Sequence, residues 1–194
     1  NVYLLSRPEN HITDYKIETD LNGDNGVLIF HNESSVAMQT SFDGKCFTVA
    51  PNEKVEIKVA NVKPWTAENP HLYDLVLSAN GEVIYEKVGF RKIAIEGKVF
   101  KINGKHRKLK GVNRHDFNCE TGATVTLENM VQDLELMKQL NVNAIRTSHY
   151  PPTPKFLDFC DEMGFYVMLE TDIETHGAIN RKAGGTDYDC FNNT

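Results

Sequence analysis

Three segments of this chain place histidine, arginine or carboxylate just after a short apolar run. In "GVNRHD" it is His115, in "NAIRTSHYP" Arg146 and His149, and in "FYVMLETDIETHG" Glu174 and His176. Polar groups delivered to one rim by successive strands are what a ligand-binding site in a parallel α/β fold requires. Taken singly, each has a plainer reading. A lone histidine after a strand is more often a loop residue bonded to backbone, and Glu174 with His176 could be a surface pair. Recurrence at the same end of successive runs favours a site. His11, His31, His71 and His106 have no such placement and read as structural or exposed.

The elements that would position these groups follow from periodicity. "TLENMVQDLELMKQL" carries Met130, Val131, Leu134, Met137 and Leu140 at helical spacing, with Thr126 able to cap its start and Glu128 suited to its first turn. "TPKFLDFCDEMG" predicts a second helix, with Thr153 as cap, Pro154 at the first position and Gly164 at the end. Its apolar stripe is Phe156, Leu157, Cys160 and Met163. Around these helices "GVN", "NAIRTS" and "FYVMLE" read as buried strands. Strand, helix, strand, helix, strand implies parallel pairing with both faces covered. That is the start of either a β/α barrel or a doubly wound sheet, and both bind ligands at the carboxyl ends of their strands. No glycine-rich phosphate fingerprint follows any strand, which lowers the dinucleotide-binding reading.

The first half has a different rhythm. "YKIETDL", "GVLIFHN", "AMQTSF" and "KVEIKVAN" read as short strands, and "LYDLVLSANGEVIYEKVGF" as a hairpin about Asn80-Gly81. This pattern predicts an antiparallel sandwich. "KIAIEGKVFKINGKHRKLK" continues in strand style, with turns at Glu96-Gly97 and Asn103-Gly104.

Composition bounds the function. The 194 residues are 40% hydrophobic and 25% charged, ordinary for a globular protein, and no apolar run is long enough to span a bilayer. The start, "NVYLLSRPEN", has neither an initiator Met nor a signal-peptide pattern, so the chain reads as part of something longer. A net charge of -6 and a pI of about 5.6 argue against a nucleic-acid binder. The basic run "KHRKLK" reads as a strand flanked by solvated lysines. Cys46, Cys119, Cys160 and Cys190 form no CxxC pair, and reduced thiols in a cytoplasmic protein are expected.

"GVNRHD", "NAIRTSHYP", "DEMGFYVMLE" and "IETHG" together resemble glycoside hydrolase family 2. "IETHG" points to its bacterial β-galactosidase branch, and "VYLLSRP" and "PWTAENPHLY" extend the resemblance over nearly the whole chain. The resemblance implies a multidomain chain, β then α/β. Residues 1–10 would end a jelly-roll domain or linker, 11–91 would form an immunoglobulin-like β-sandwich, and 92–194 the N-terminal part of a TIM-barrel catalytic domain. It implies roles as well. His115 and His149 would contact the galactosyl group and stabilise the transition state. Arg146 would orient the nucleophilic carboxylate, and Glu174 and His176 would be ligands of an active-site Mg²⁺. The implied partner is a β-galactoside sugar, and the implied parent is a homo-oligomer. Leu169 departs from the family, where an acid usually precedes Glu170, and Asp172 stands where Asn is common.

Retaining glycosidases need two carboxyl groups about 5 Å apart. The family carries them on later barrel strands, the acid/base within an Asn-Glu pair. Here Asn32-Glu33 and Asn52-Glu53 fall in the first half, and Glu170, Asp172 and Glu174 share one segment. The chain alone is therefore expected to be inactive. Two other readings stand beside this one: a different family 2 activity, β-glucuronidase or β-mannosidase, or a non-catalytic sandwich module that binds carbohydrate or protein. The module has no need of histidines aligned on successive strand ends.

Overall fold

The computed structural model describes residues 4–173 and divides into two compact units. The first takes residues 4–109 with Asp161–Gly164, and the second takes Lys110–Cys160 with the chain from Phe165 on. Glu174, His176 and Cys190 lie outside the described residues.

The first unit contains an immunoglobulin-like sandwich of two antiparallel sheets. One has the order β1-β2-β5, from Tyr15–Asn22, Asn25–Asn32 and Lys54–Val59. The other has the order β4-β3-β6-β7, from Lys45–Val49, Met38–Phe42, Tyr73–Ala79 and Glu82–Val88. Alternation along the strands places every second residue inside. In β2 the buried set is Gly26, Leu28, Phe30 and Asn32. Leu28, Phe30, Met38, Phe42, Leu75, Leu77 and Phe90 are essentially inaccessible. Packing is tight enough that a Cβ on Gly26 would lie 2.6 Å from the Phe90 ring. Buried Asn32 satisfies its amide internally. Its Nδ2 donates to the carbonyls of Val36, Val49 and Ala50, and its Oδ1 accepts from Ser34 N–H.

The β6–β7 hairpin turns at Asn80-Gly81 as the sequence predicts, with φ of 50° and 84°. Strand β4 lies beyond the sequence reading. Asp43-Gly44, also at positive φ, turns β3 back into it, but "KCFTV" is too polar on its exposed side to declare a strand. Ahead of β1, Arg7 pairs with Glu82 and donates to Ile12 O, while Ile12 N–H donates to Glu82 Oε2 at 3.0 Å. These bonds hold the Glu82 carboxyl below the usual carboxylate range, the Arg7 bond first and the Ile12 amide second. A further sheet, β10-β9-β8, comes from Ile93–Glu96 (β8), Val99–Ile102 (β9) and Lys105–His106 (β10).

The second unit runs β11 (Gly111–Asn113), α1 (Leu127–Gln139), β12 (Ala144–Arg146), α2 (Pro154–Met163) as far as Cys160, and β13 (Tyr166–Met168). Its strands are parallel in the order β11-β12-β13, and Asn113, Arg146 and Met168 share a rung. Thr126 caps α1 through Asn129 N–H, and the Asn129 side chain returns the bond to Thr126 N–H.

Two expectations need correction. The stripe on α1 is narrower than its spacing suggests: Met130 and Leu134 are buried, but Leu140, the cap residue, is 69% exposed. The strands are not covered on both faces either. Only β12, with a neighbour on each side, buries Ala144 and Ile145, whereas β11 is exposed along its length and Met168 of β13 is 60% exposed. No helix among the described residues is long and apolar enough to cross a membrane.

Candidate functional site

The carboxyl ends of the three parallel strands carry the polar cluster. Strand β12 ends in Arg146, then buries Thr147 and Ser148 and exposes His149 across a cis Ser148–His149 peptide. Strand β11 ends in Asn113, leading to Arg114 and His115. Strand β13 is followed by Glu170, whose N–H donates to Thr147 Oγ1 at 3.0 Å. Because the strands are parallel and in register, residues just past their ends converge.

The geometry joins three of the five residues picked out from the sequence. The His115 and His149 rings meet edge to face with centroids 5.4 Å apart. Arg146 Nε donates to Glu170, and Arg146 Nη2 lies 3.4 Å from His149 Nδ1. The other Glu170 oxygen is 3.3 Å from the same Nδ1. The side chains of Arg146 and His149 are 37% and 58% exposed and that of Glu170 is 24% exposed, so the cluster is a rim open to a ligand. Glu174 and His176 fall outside the described residues. Among the described residues, no group of three or more His, Cys, Asp and Glu side chains could hold a metal ion.

The sequence reading passed over several participants. Glu170 is the hub of the rim. Its signal lies in the sequence, since it follows β13 as Arg146 ends β12, but sharing one segment with Asp172 and Glu174 speaks only against a flanking catalytic pair. Arg114 lies within "GVNRHD", where sequence alone gives it no role. Its side chain is 5% exposed and bonds Asp116 Oδ1 at 2.6 Å and Asp133 Oδ2 at 3.1 Å, with its guanidinium 4.2 Å from the Phe156 ring centroid. One buried cation thus ties the end of β11 to α1 and α2 on either side of His115. Tyr150 closes the same corner, its hydroxyl accepting from Asp116 N–H at 3.0 Å. Neither contact follows from sequence spacing, because both cross between elements.

Chemically, the rim offers two imidazoles and a guanidinium whose charge is met by one carboxylate. It can bind a polyhydroxylated ligand and stabilise charge on it. A nucleophile and a separate acid facing it across a sugar are not found among the described residues.

Comparison with known proteins points to one family. Residues 4–91 match the family described as "Glycosyl hydrolases family 2", and residues 93–192 match "Glycosyl hydrolases family 2, TIM barrel domain". The β-galactosidase of Staphylococcus xylosus is 43% identical over 99% of this chain and 20% of its own length. That of Lactococcus lactis is 42% identical over 97% of the chain and 20% of its own. Among solved structures, the β-D-glucuronidase of Dictyoglomus thermophilum superposes with a TM-score of 0.76 at 26% identity, covering 84% of this chain and 30% of that one. The chain spans about a fifth of the length of the curated relatives it matches. With both halves matched in order and the curated relatives more than 40% identical over nearly the whole chain, the chain belongs to glycoside hydrolase family 2.

Proposed function

We propose that this chain is the sandwich and leading barrel segment of a retaining β-galactosidase, acting in carbohydrate metabolism on terminal β-D-galactosyl residues of β-galactosides such as lactose. The observation that carries the reading is the convergence of His115, Arg146 and His149 at adjacent strand ends, in a chain whose curated relatives are β-galactosidases. In this reading His115 and His149 contact the galactosyl hydroxyls and favour the charge-separated transition state. Arg146 orients the nucleophilic carboxylate. The two carboxyl groups of the double displacement, about 5 Å apart, come from other parts of the complete protein.

Mg²⁺ belongs to the same proposal. It takes oxygen ligands in near-octahedral geometry and keeps several waters. Glu174 would give a carboxylate and His176 an imidazole, a loose donor set that leaves most positions to water and further ligands. The chain by itself is expected to bind Mg²⁺ weakly. Saturable micromolar binding by calorimetry, lost in Glu174→Gln, would contradict this. Exposed thiols at Cys46 and Cys119 support a reducing, cytoplasmic setting, and the family resemblance supports a homo-oligomeric parent.

The test compares chromogenic β-galactoside and β-glucuronide in the complete protein. The galactoside should be preferred, and Arg146→Ala should lower kcat/KM by roughly a hundredfold or more. Preference for the glucuronide would instead favour the second reading, which the solved-structure neighbours motivate. The 194-residue chain alone should show no turnover above a heat-killed control.

A further inference from the structure

The geometry points to Glu170 as a positioning residue that fixes the tautomer of His149, so that Nδ1 carries the ring proton and Nε2 presents a lone pair to a substrate hydroxyl. The role of His149 in sugar binding rests on the function proposed above, but the tautomer does not.

The argument begins with a conflict at one atom. His149 Nδ1 has two polar neighbours of opposite kind. Arg146 Nη2, at 3.4 Å, is a donor only and would require a lone pair on Nδ1. The Glu170 carboxylate oxygen, at 3.3 Å, is an acceptor only and would require a proton there. A neutral imidazole satisfies one and not the other. Charge decides between them. Arg146 already directs Nε at the other Glu170 oxygen, so its charge is met. An N–H···carboxylate bond is charge-assisted and stronger than a bond donated to a neutral ring nitrogen.

Glu170 is itself held for this task. Its backbone N–H is fixed on Thr147 Oγ1, its Oε1 on Arg146, and its Oε2 is left facing His149. When one imidazole nitrogen is committed to a partner, the other takes the complementary role. Nε2 is then an acceptor in the neutral ring. A sugar hydroxyl donates to it, leaving that hydroxyl oxygen free to accept from another group. No proton changes hands in the resting cluster.

The full 194-residue chain, labelled with ¹⁵N-histidine, permits the test at about pH 8, where an ordinary imidazole is neutral. Long-range ¹⁵N–¹H correlation distinguishes protonated from bare ring nitrogens, and a His149→Gln spectrum identifies the signals. The wild type should show protonated Nδ1. In Glu170→Ala, Arg146 becomes the polar neighbour of Nδ1, and the proton should move to Nε2. Glu170→Gln should do the same, because the amide oxygen stays on Arg146 and the NH₂ turns to His149. Wild-type Nε2–H, or a variant keeping Nδ1–H, would overturn the assignment. If Glu170→Ala fails to fold, Glu170→Gln decides, and if neither folds the wild-type tautomer decides. In the complete protein, Glu170→Gln should lower kcat on a β-galactoside roughly tenfold or more. An unchanged kcat would overturn the positioning role. A tautomer that switches in a protein inactive on galactosides would leave the assignment standing and remove the proposed substrate.

Discussion

The sandwich and the βα unit differ in how completely each encloses its own apolar surface. In the sandwich, two antiparallel sheets face each other across a shared core. Phe30, Phe42, Leu28, Leu75 and Leu77 are sealed, and even the amide of Asn32 is satisfied internally. In the βα unit a single parallel sheet of three short strands buries its central strand and leaves apolar side chains at its margins open. Val112, Met168, Leu169 and Ile173 are each between 38% and 67% exposed. A sandwich closes with two sheets, whereas a parallel sheet is covered only when further strands and helices complete it. The unit that carries the polar rim is therefore the one less able to hold its shape unaided.

The comparison is sharpest under core truncation. Phe30→Ala removes a sealed aromatic side chain and should cost about 3–5 kcal/mol, a large share of the roughly 5–15 kcal/mol that holds an ordinary domain folded. A denaturant titration followed by the near-ultraviolet signal would read it. Retained cooperative unfolding at nearly unchanged midpoint would break the picture of a closed sandwich. Asn32→Ala is expected to cost less, on the order of 2 kcal/mol, by stranding the Val49 and Ala50 carbonyls and the Ser34 amide. In the βα unit the exposed apolar margin is expected to drive self-association, and Met168→Ser should reduce it, measured by sedimentation, while changing stability by less than about 0.5 kcal/mol. A marked drop in melting temperature would mean that the strand is better covered than its exposure indicates.

The smallest expected effect lies at the start of the sandwich. Glu82 is held below its usual pKa by Arg7 and Ile12. The folded value lies below the unfolded one, so this contribution is present at neutral pH, down to the ordinary glutamate range. It is lost as pH falls through the depressed folded value. Acid should loosen residues 7–12 before the sandwich melts, with increased amide exchange at Ile12 as the readout, and Glu82→Gln should abolish the pH dependence.

Much of this architecture was legible because local chemistry and tertiary packing agree. Asn80-Gly81 needs positive φ at both residues and sits between alternating runs, so its hairpin follows from sequence. Thr126 caps α1 as expected. The same agreement failed at β4, whose hairpin turn at Asp43-Gly44 was present but whose residues do not alternate cleanly. Strand-end placement of His115, Arg146 and His149 was readable, since parallel topology sends every strand end to one rim. The partners that fix them were not. Arg114 reaching Asp133, Tyr150 reaching Asp116, and Glu170 bridging Arg146 and His149 are contacts between elements, and spacing along one element carries no record of them.

Hydrogen exchange resolved to single amides tests the central contrast most directly. Amides of Leu28, Phe30, Leu75 and Leu77 should open only with the whole sandwich. They should exceed those of Val112 and Val167 in protection by about a thousandfold, or roughly 4 kcal/mol. Equal, strong protection across both sets in a monomeric sample would contradict the account, because the parallel sheet would then be as complete as the sandwich.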